Sequence, residues 1–163
     1  MENEFENIVS ETRLMIKRLG LSITEENLTK PWGAYIRLDN TDAEKFAATY
    51  FQGHEFNTFE NLSPKFLIVA PGKRLSWQKH ARRAELWSVL QGPVGIKLSE
   101  TDEEPRDATI LKTGEFIEFD TEVRHRLIGL DGWGIVTEIW KHTKAPELSD
   151  EEDIVRIQDD FSR

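Results

Sequence analysis

The chain has 163 residues, of which 38% are hydrophobic and 31% charged, and a formal net charge of −9. This composition describes a single folded domain with an apolar core and excludes a disordered chain. The acidic balance argues against nucleic acid and against an anionic membrane surface as partners, and the absence of cysteine excludes disulfides, thiolate metal sites and cysteine nucleophiles.

The N-terminus "MENEFENIVSETRLMIKRLG" has acids where a secretory signal has bases. No window approaches the roughly 18 apolar residues of a membrane span. A cytoplasmic location is the expectation. In the same segment Phe5, Ile8, Val9, Met15, Ile16 and Leu19 recur mostly at three- and four-residue steps, and Gly20 follows as a stop. That pattern predicts an amphipathic helix. Ser22 with Glu25 three residues later has the form of a capping box and points to a second helix start. "KPWGAYIRL" reads as a turn leading into a short strand. Thr41 with Glu44, closed by Gly53, predicts a further helix.

From Lys65 onward the chain is strand-like. "KFLIVA", "RLSWQKH", "ELWSVLQG", "VGIKLSE", "ATILKTG", "EFIEFD", "HRLIGLDG" and "WGIVTEIWK" are short runs rich in β-branched and aromatic residues. Eight strands with no intervening helical pattern predict an all-β sandwich or barrel rather than a parallel βαβ sheet. The acidic tail "ELSDEEDIVRIQDDFSR" carries Ile154, Val155 and Ile157 as docking points and reads as a short helix or an extended strap. The expected layout is one structural domain: residues 1–64 as a helical extension with the first barrel strand, 65–145 as the barrel, 146–163 as the strap.

One stretch carries chemistry. In "PGKRLSWQKHARRAELWSVLQG", Ser76, Gln78 and His80 share a strand face. Glu85 follows five residues later, and a bend brings it back to that face. His125 opens a later strand. One Gln, two His and one Glu form a mixed nitrogen and oxygen donor set suited to Zn²⁺, Mn²⁺, Fe²⁺, Co²⁺ or Ni²⁺. A Gln-x-His pair alone is ordinarily a solvated polar face, so the set gains meaning from its full spacing. The same stretch holds Lys73, Arg74, Lys79, Arg82 and Arg83 before its first acid, and Arg124 and Arg126 flank His125. This is a local basic surplus of the kind an anionic ligand needs. Lys79, lying between two inward residues, is expected to face water.

That spacing resembles the cupin superfamily. The first cupin motif reads here as Gly72, five residues, Gln78-Lys79-His80, four residues, Glu85, six residues, Gly92. The second reads as Gly114, five residues, Asp120-Thr121-Glu122, two residues, His125, three residues, Gly129. Four ordered blocks, "KPWGAY", "PGKRLSWQKHARRAELW", "RHRL" and "EEDIVRIQDDFSR", narrow the resemblance to the type II mannose-6-phosphate isomerase domain. That domain occurs alone or at the C-terminus of mannose-1-phosphate guanylyltransferases. The similarity covers about residues 30–40 and 65–163, and in that family Gln is the norm at the first ligand position. The departures are Leu86 for a His beside the ligand Glu, Asp120 and Glu122 for Pro and Gly, Gly129 for Asn, and Phe161-Ser162 for Tyr-Gly.

The resemblance implies a cupin barrel, a double-stranded β-helix or jelly roll, carrying one divalent metal, zinc first, on Gln78, His80, Glu85 and His125. It implies an aldose–ketose isomerase acting on a sugar phosphate, mannose 6-phosphate to fructose 6-phosphate. Arg83 matches the family's Arg two before the ligand Glu, and Glu138 a Glu of the last strand; both are read as catalytic. Lys30, at an Arg position, Trp32 and Arg156 match positions read as substrate-binding. Cupins are often dimers, so a homodimer is expected. Two alternatives stay open: an isomerase of free lyxose or mannose, and a non-catalytic sugar-binding cupin.

Overall fold

A computed structural model describes residues 2–163. Helix α1 spans Glu2–Arg18, with Ile8, Val9, Thr12 and Ile16 buried along one face. It leads into β1 (Ile23–Lys30) and β2 (Gly33–Leu38), then a short 3₁₀ turn and α2 (Ala43–Tyr50). The remaining strands are β3 (Lys65–Val69), β4 (Trp77–Lys79), β5 (Arg83–Gln91), β6 (Val94–Ser99), β7 (Thr109–Leu111), β8 (Phe116–Phe119), β9 (Arg124–Gly129), β10 (Gly134–His142) and β11 (Val155–Gln158). Each of the eight runs expected from Lys65 to Lys141 holds one of the strands β3 to β10.

The strands form two antiparallel sheets. One has the order β1-β2-β3-β10-β5-β8, the other β11-β4-β9-β6-β7. Alternation along each strand then creates two cores. Leu67, Val69, Trp87, Val89 and Val136 from the first sheet meet Val94, Ile96 and Leu127 from the second and Leu75 just before β4, which is the barrel interior. The opposite face of the first sheet carries Ile36, Phe66, Ile68, Leu86, Ile135 and Ile139, covered by Ile8, Val9, Ile16 and Phe46 of the two helices. Burial on both faces is why "KFLIVA" is apolar without interruption.

Two expectations change, and one left open is decided. The Ser22–Glu25 pattern does not start a helix: residues 23–30 are edge strand β1. Ser22 N–H donates to the Asp42 carboxylate at 2.6 Å and its carbonyl accepts from Asp39, which ties it to the next loop. Ile23, Thr24 and Thr29 suit a strand, and the antiparallel partner β2 satisfies the backbone that a helix would have satisfied internally. The turn before α2 is capped by Asp39, whose carboxylate accepts the Thr41 N–H at 2.9 Å, not by Thr41. The tail takes the extended form of the two expected for it, with β11 pairing to β4.

Candidate metal centre and its cavity

Gln78 on β4 and His125 on β9 are direct cross-strand partners, so their side chains emerge together. His80 follows β4, and the bend at Ala81 and Arg82 returns the chain as β5 with Glu85 facing inward. The ligand atoms of His80, Glu85 and His125 all lie within 4.8 Å of one another, and the three residues are buried. His80 Nε2 is 3.1 Å from His125 Nε2 and 3.1 Å from Glu85 Oε1. Glu85 Oε2 is 3.6 Å from His125 Nε2, and Gln78 Nε2 is 3.4 Å from it.

The surroundings orient these groups. Nδ1 of His80 donates to the Asp153 carbonyl at 2.7 Å, and Nδ1 of His125 to the Val123 carbonyl at 3.0 Å. A carbonyl only accepts, so each Nδ1 carries the hydrogen, which leaves Nε2 as the nitrogen turned to the centre. Burial pushes His125 down to about 3, which keeps it neutral. Burial also pushes the Glu85 carboxyl up, but His80 and Arg83 beside it more than offset this and hold it well below the usual carboxylate range. Arg83 Nε donates to Glu85 Oε1 at 2.9 Å. Oε2 of the same carboxylate is buried without a donor among the described residues.

Two imidazole lone pairs, an ionised carboxylate with an unpartnered oxygen and a carboxamide fit a borderline divalent cation. Their spacings are close to the roughly 3.0–3.4 Å between neighbouring donors that each sit about 2.1 Å from one ion. Gln78 Oε1 accepts from the Ser76 hydroxyl at 2.5 Å. A half-turn of the amide presents that oxygen to the centre and lets the hydroxyl accept from the amide instead.

The cluster borders a cavity whose lining includes Gln78, Arg83, Glu85, Glu138, Lys30, Trp32 and Arg156. Seven of the nine residues singled out in the sequence therefore border one space, and His80 and His125 lie buried against it. Glu138 is fully enclosed: Trp87 Nε1 donates to its Oε2 at 2.8 Å and Trp140 Nε1 to its Oε1 at 2.9 Å. Burial, then the nearby Glu85 charge, push its carboxyl up to about 7. Lys30 and Arg156 have no ion-pair partner among the described residues. Burial lowers Lys30, and Arg163 and Arg156 lower it further, which marks these three as neighbouring cations.

Of the other bases in residues 71–92, all but Lys73 pair with acids away from them in sequence, as do the two arginines that flank His125. Arg74 pairs with Asp160, Lys79 with Glu122, Arg82 with Asp150, Arg124 with Asp102 and Arg126 with Glu104. Lys79 is a quarter exposed and lies outside the cavity lining, in line with its expected outward direction. Arg83 is buried and spends its donors on Glu85, on Ser149 Oγ at 2.8 Å and on the Asp150 carbonyl at 2.9 Å. Its guanidinium also lies 3.8 Å from the centroid of the Trp140 ring.

Sequence reasoning missed Lys65, Tyr35 and Glu151, which line the same cavity. Lys65 is 4% exposed, with Nζ 3.9 Å from Glu138 Oε1 and 4.1 Å from the Trp140 centroid, and it pairs with Glu151. Its signal was present: a lysine heading an otherwise apolar strand is stranded in the core unless it has a partner. Leu86, which stands where a His was expected, faces the helices and not the cavity. Gly129 packs so tightly on the Ala70–Lys73 turn that an added Cβ would lie 2.0 Å from the Ala70 carbonyl oxygen. Asn cannot fit there without moving the backbone.

Two facing antiparallel sheets with a His–Glu–His cluster inside define a cupin-type protein. More narrowly, the chain belongs to the family described as mannose-6-phosphate isomerase C-terminal, whose model matches residues 21–159. Among curated proteins it is 24% identical over 162 residues to the mannose-1-phosphate guanylyltransferase of Salmonella montevideo, covering 96% of this chain and 29% of that protein. The chain thus spans under a third of that relative's length. Among solved structures it resembles vicilin from Corylus avellana, with TM-score 0.55 and 16% identity over 75% of this chain and 32% of that one. The capsular polysaccharide assembling protein CapF of Staphylococcus aureus has TM-score 0.54 and 12% identity, covering 83% of this chain and 34% of that one. KdgF from Halomonas sp. has TM-score 0.52 and 12% identity, covering 75% of this chain and 89% of that one. These structural likenesses concern the fold. No helix among the described residues is long and apolar enough to cross a membrane.

Proposed function

We propose that this domain is a metal-dependent aldose–ketose isomerase that converts mannose 6-phosphate to fructose 6-phosphate. The observation that carries this reading is one cavity bordered by three kinds of group: a cluster with the donors for a metal ion, a carboxyl pushed up to about 7 and two cations without ion-pair partners among the described residues. The family supports a sugar-related role.

Gln78, His80, Glu85 and His125 would hold the ion, zinc first among the candidates. When bound, a divalent cation supplies Lewis acidity toward the carbonyl oxygen of the open-chain sugar. Glu138 then moves the proton. Its carboxylate takes the hydrogen from C2 and returns it to C1, while the hydroxyl proton passes from O2 to O1 and the carbonyl from C1 to C2. A carboxyl near 7 populates both forms at neutral pH, as such a shuttle needs. The two indole N–H groups fix its orientation. Lys65 and Trp140 keep the cavity wall closed around it. Lys30 and Arg156 receive the phosphate dianion, and Trp32 walls the sugar. Arg83 acts through Glu85, holding that carboxylate ionised and in place.

Metal-loaded protein should turn over mannose 6-phosphate in an assay coupled to fructose 6-phosphate formation, with free mannose and lyxose run beside it. Equal turnover of the free sugars would move the assignment to a free-sugar isomerase. No turnover of any of the three with metal bound would leave a sugar-binding module.

A further inference from the structure

The residues that orient the metal cluster do not all come from the barrel. Asp153 lies in the C-terminal tail and is 7% exposed. Its main-chain carbonyl accepts the His80 Nδ1–H at 2.7 Å across a separation of 73 residues. Its carboxylate accepts the backbone N–H of Ala81 at 2.8 Å through one oxygen and that of Arg82 at 2.9 Å through the other. The Ser149 hydroxyl donates to the same carboxylate at 2.6 Å. One residue thus grips the bend after β4 by its side chain and the ring of His80 by its backbone.

The same turn holds Arg83. Ser149 Oγ and the Asp150 carbonyl accept both hydrogens of Arg83 Nη1, while Arg83 Nε fixes Glu85. His125 is different. Its Nδ1 bonds the carbonyl of Val123, two residues before it, and owes nothing to the tail.

We propose that Asp153 is a positioning residue for the metal centre: it staples the 80–82 bend and holds His80 in the tautomer that turns Nε2 inward. The inference rests on the metal reading above. Without the carboxylate, the N–H groups of Ala81 and Arg82 lose their acceptors, the tail loosens, and the carbonyl no longer stays opposite Nδ1. Groups that orient a ligating imidazole in this way typically change metal affinity by about 10–100-fold.

The test compares wild type, Asp153→Ala and Asp153→Asn. Co²⁺ binding is followed by visible absorbance against a competing chelator. Imidazole ¹⁵N spectra of metal-free protein report the tautomers of His80 and His125 separately, and circular dichroism reports the fold. Asp153→Ala is expected to bind Co²⁺ about 10–100-fold more weakly, with His80 exchanging between tautomers and His125 unchanged. Asp153→Asn, which still accepts one N–H, should fall between. A folded Asp153→Ala protein that binds Co²⁺ within about twofold of wild type and keeps its His80 Nδ1–H signal overturns the proposal, as does an equal change at both histidines. If Asp153→Ala does not fold, the same criteria apply to Asp153→Asn. Wild type that binds no Co²⁺ would sink the metal reading, and the His80 spectrum alone would then decide what Asp153 does.

Discussion

Glu138 accepts from two indoles, faces Lys65 at 3.9 Å and is lifted to about 7 by burial and by Glu85. The base in the proposed reaction is its ionised form. The kcat/KM for mannose 6-phosphate should therefore rise with pH through an apparent pKa near 7 as the carboxyl loses its proton. A profile that stays flat from pH 5.5 to 8 would remove Glu138 from that role. Glu138→Gln should lower kcat by about 10²–10⁴-fold while metal content, measured on the purified variant, stays that of wild type. Lys30 and Arg156 act on the substrate's charge. Lys30→Ala and Arg156→Ala should each raise KM for mannose 6-phosphate by about tenfold or more, with activity on free mannose, where present, unaffected. An equal effect on both sugars would count against a phosphate contact. At this scale the identities of these residues were legible in the sequence, but their environments were not. Nothing local to "GIVTEIWK" says that Trp87, 51 residues before Glu138, will donate to its carboxylate.

Strands β3 to β10 were legible because their side chains are sorted by two faces, and that sorting leaves period-two or wholly apolar runs in the sequence. β1 was not legible. Its outer edge has no strand partner among the described residues, its residues are mostly polar, and the Ser22–Glu25 spacing is equally compatible with a helix start. Only pairing with β2 decides between the two. Strand alternation also explains Leu86. One residue beyond Glu85, it must point to the opposite face, where α1 and α2 cover it. Leu86→Ala should destabilise the fold by about 2–5 kcal/mol in urea unfolding, through an apolar cavity. Its Co²⁺ affinity should match wild type, and a loss of metal in the folded variant would mean that this face does reach the centre.

In the whole molecule the cluster spans both sheets: Gln78 and His125 lie on strands of the five-stranded sheet, His80 directly follows the first of these, and Glu85 lies on the six-stranded sheet. A bound ion would tie the two together only in the folded state. Saturation at about 100 times Kd adds about 2.7 kcal/mol, so chelation should lower the melting temperature by roughly 5–10 °C for a chain of this length. A melting curve indifferent to chelator would show that the ion is absent or binds the unfolded chain as well.

The sequence by itself determined the strand-rich barrel and the family, and it singled out residues 78, 80, 85 and 125, which the fold brings together, because these depend on residue type and spacing along the chain. It also displayed a run of bases between Lys73 and Arg83 whose charges are mostly paired in the fold. Asp160, Glu122 and Asp150 return from distant loops to pair with Arg74, Lys79 and Arg82, and among the described residues Lys30 and Arg156 are the cations of the cavity lining without an ion-pair partner. Which charges stay free, which carboxyl is lifted toward neutrality and which residue orients His80 were decided by the tertiary structure alone. Each is a property of burial and of neighbours brought together across dozens of residues, and neither leaves a mark in local sequence.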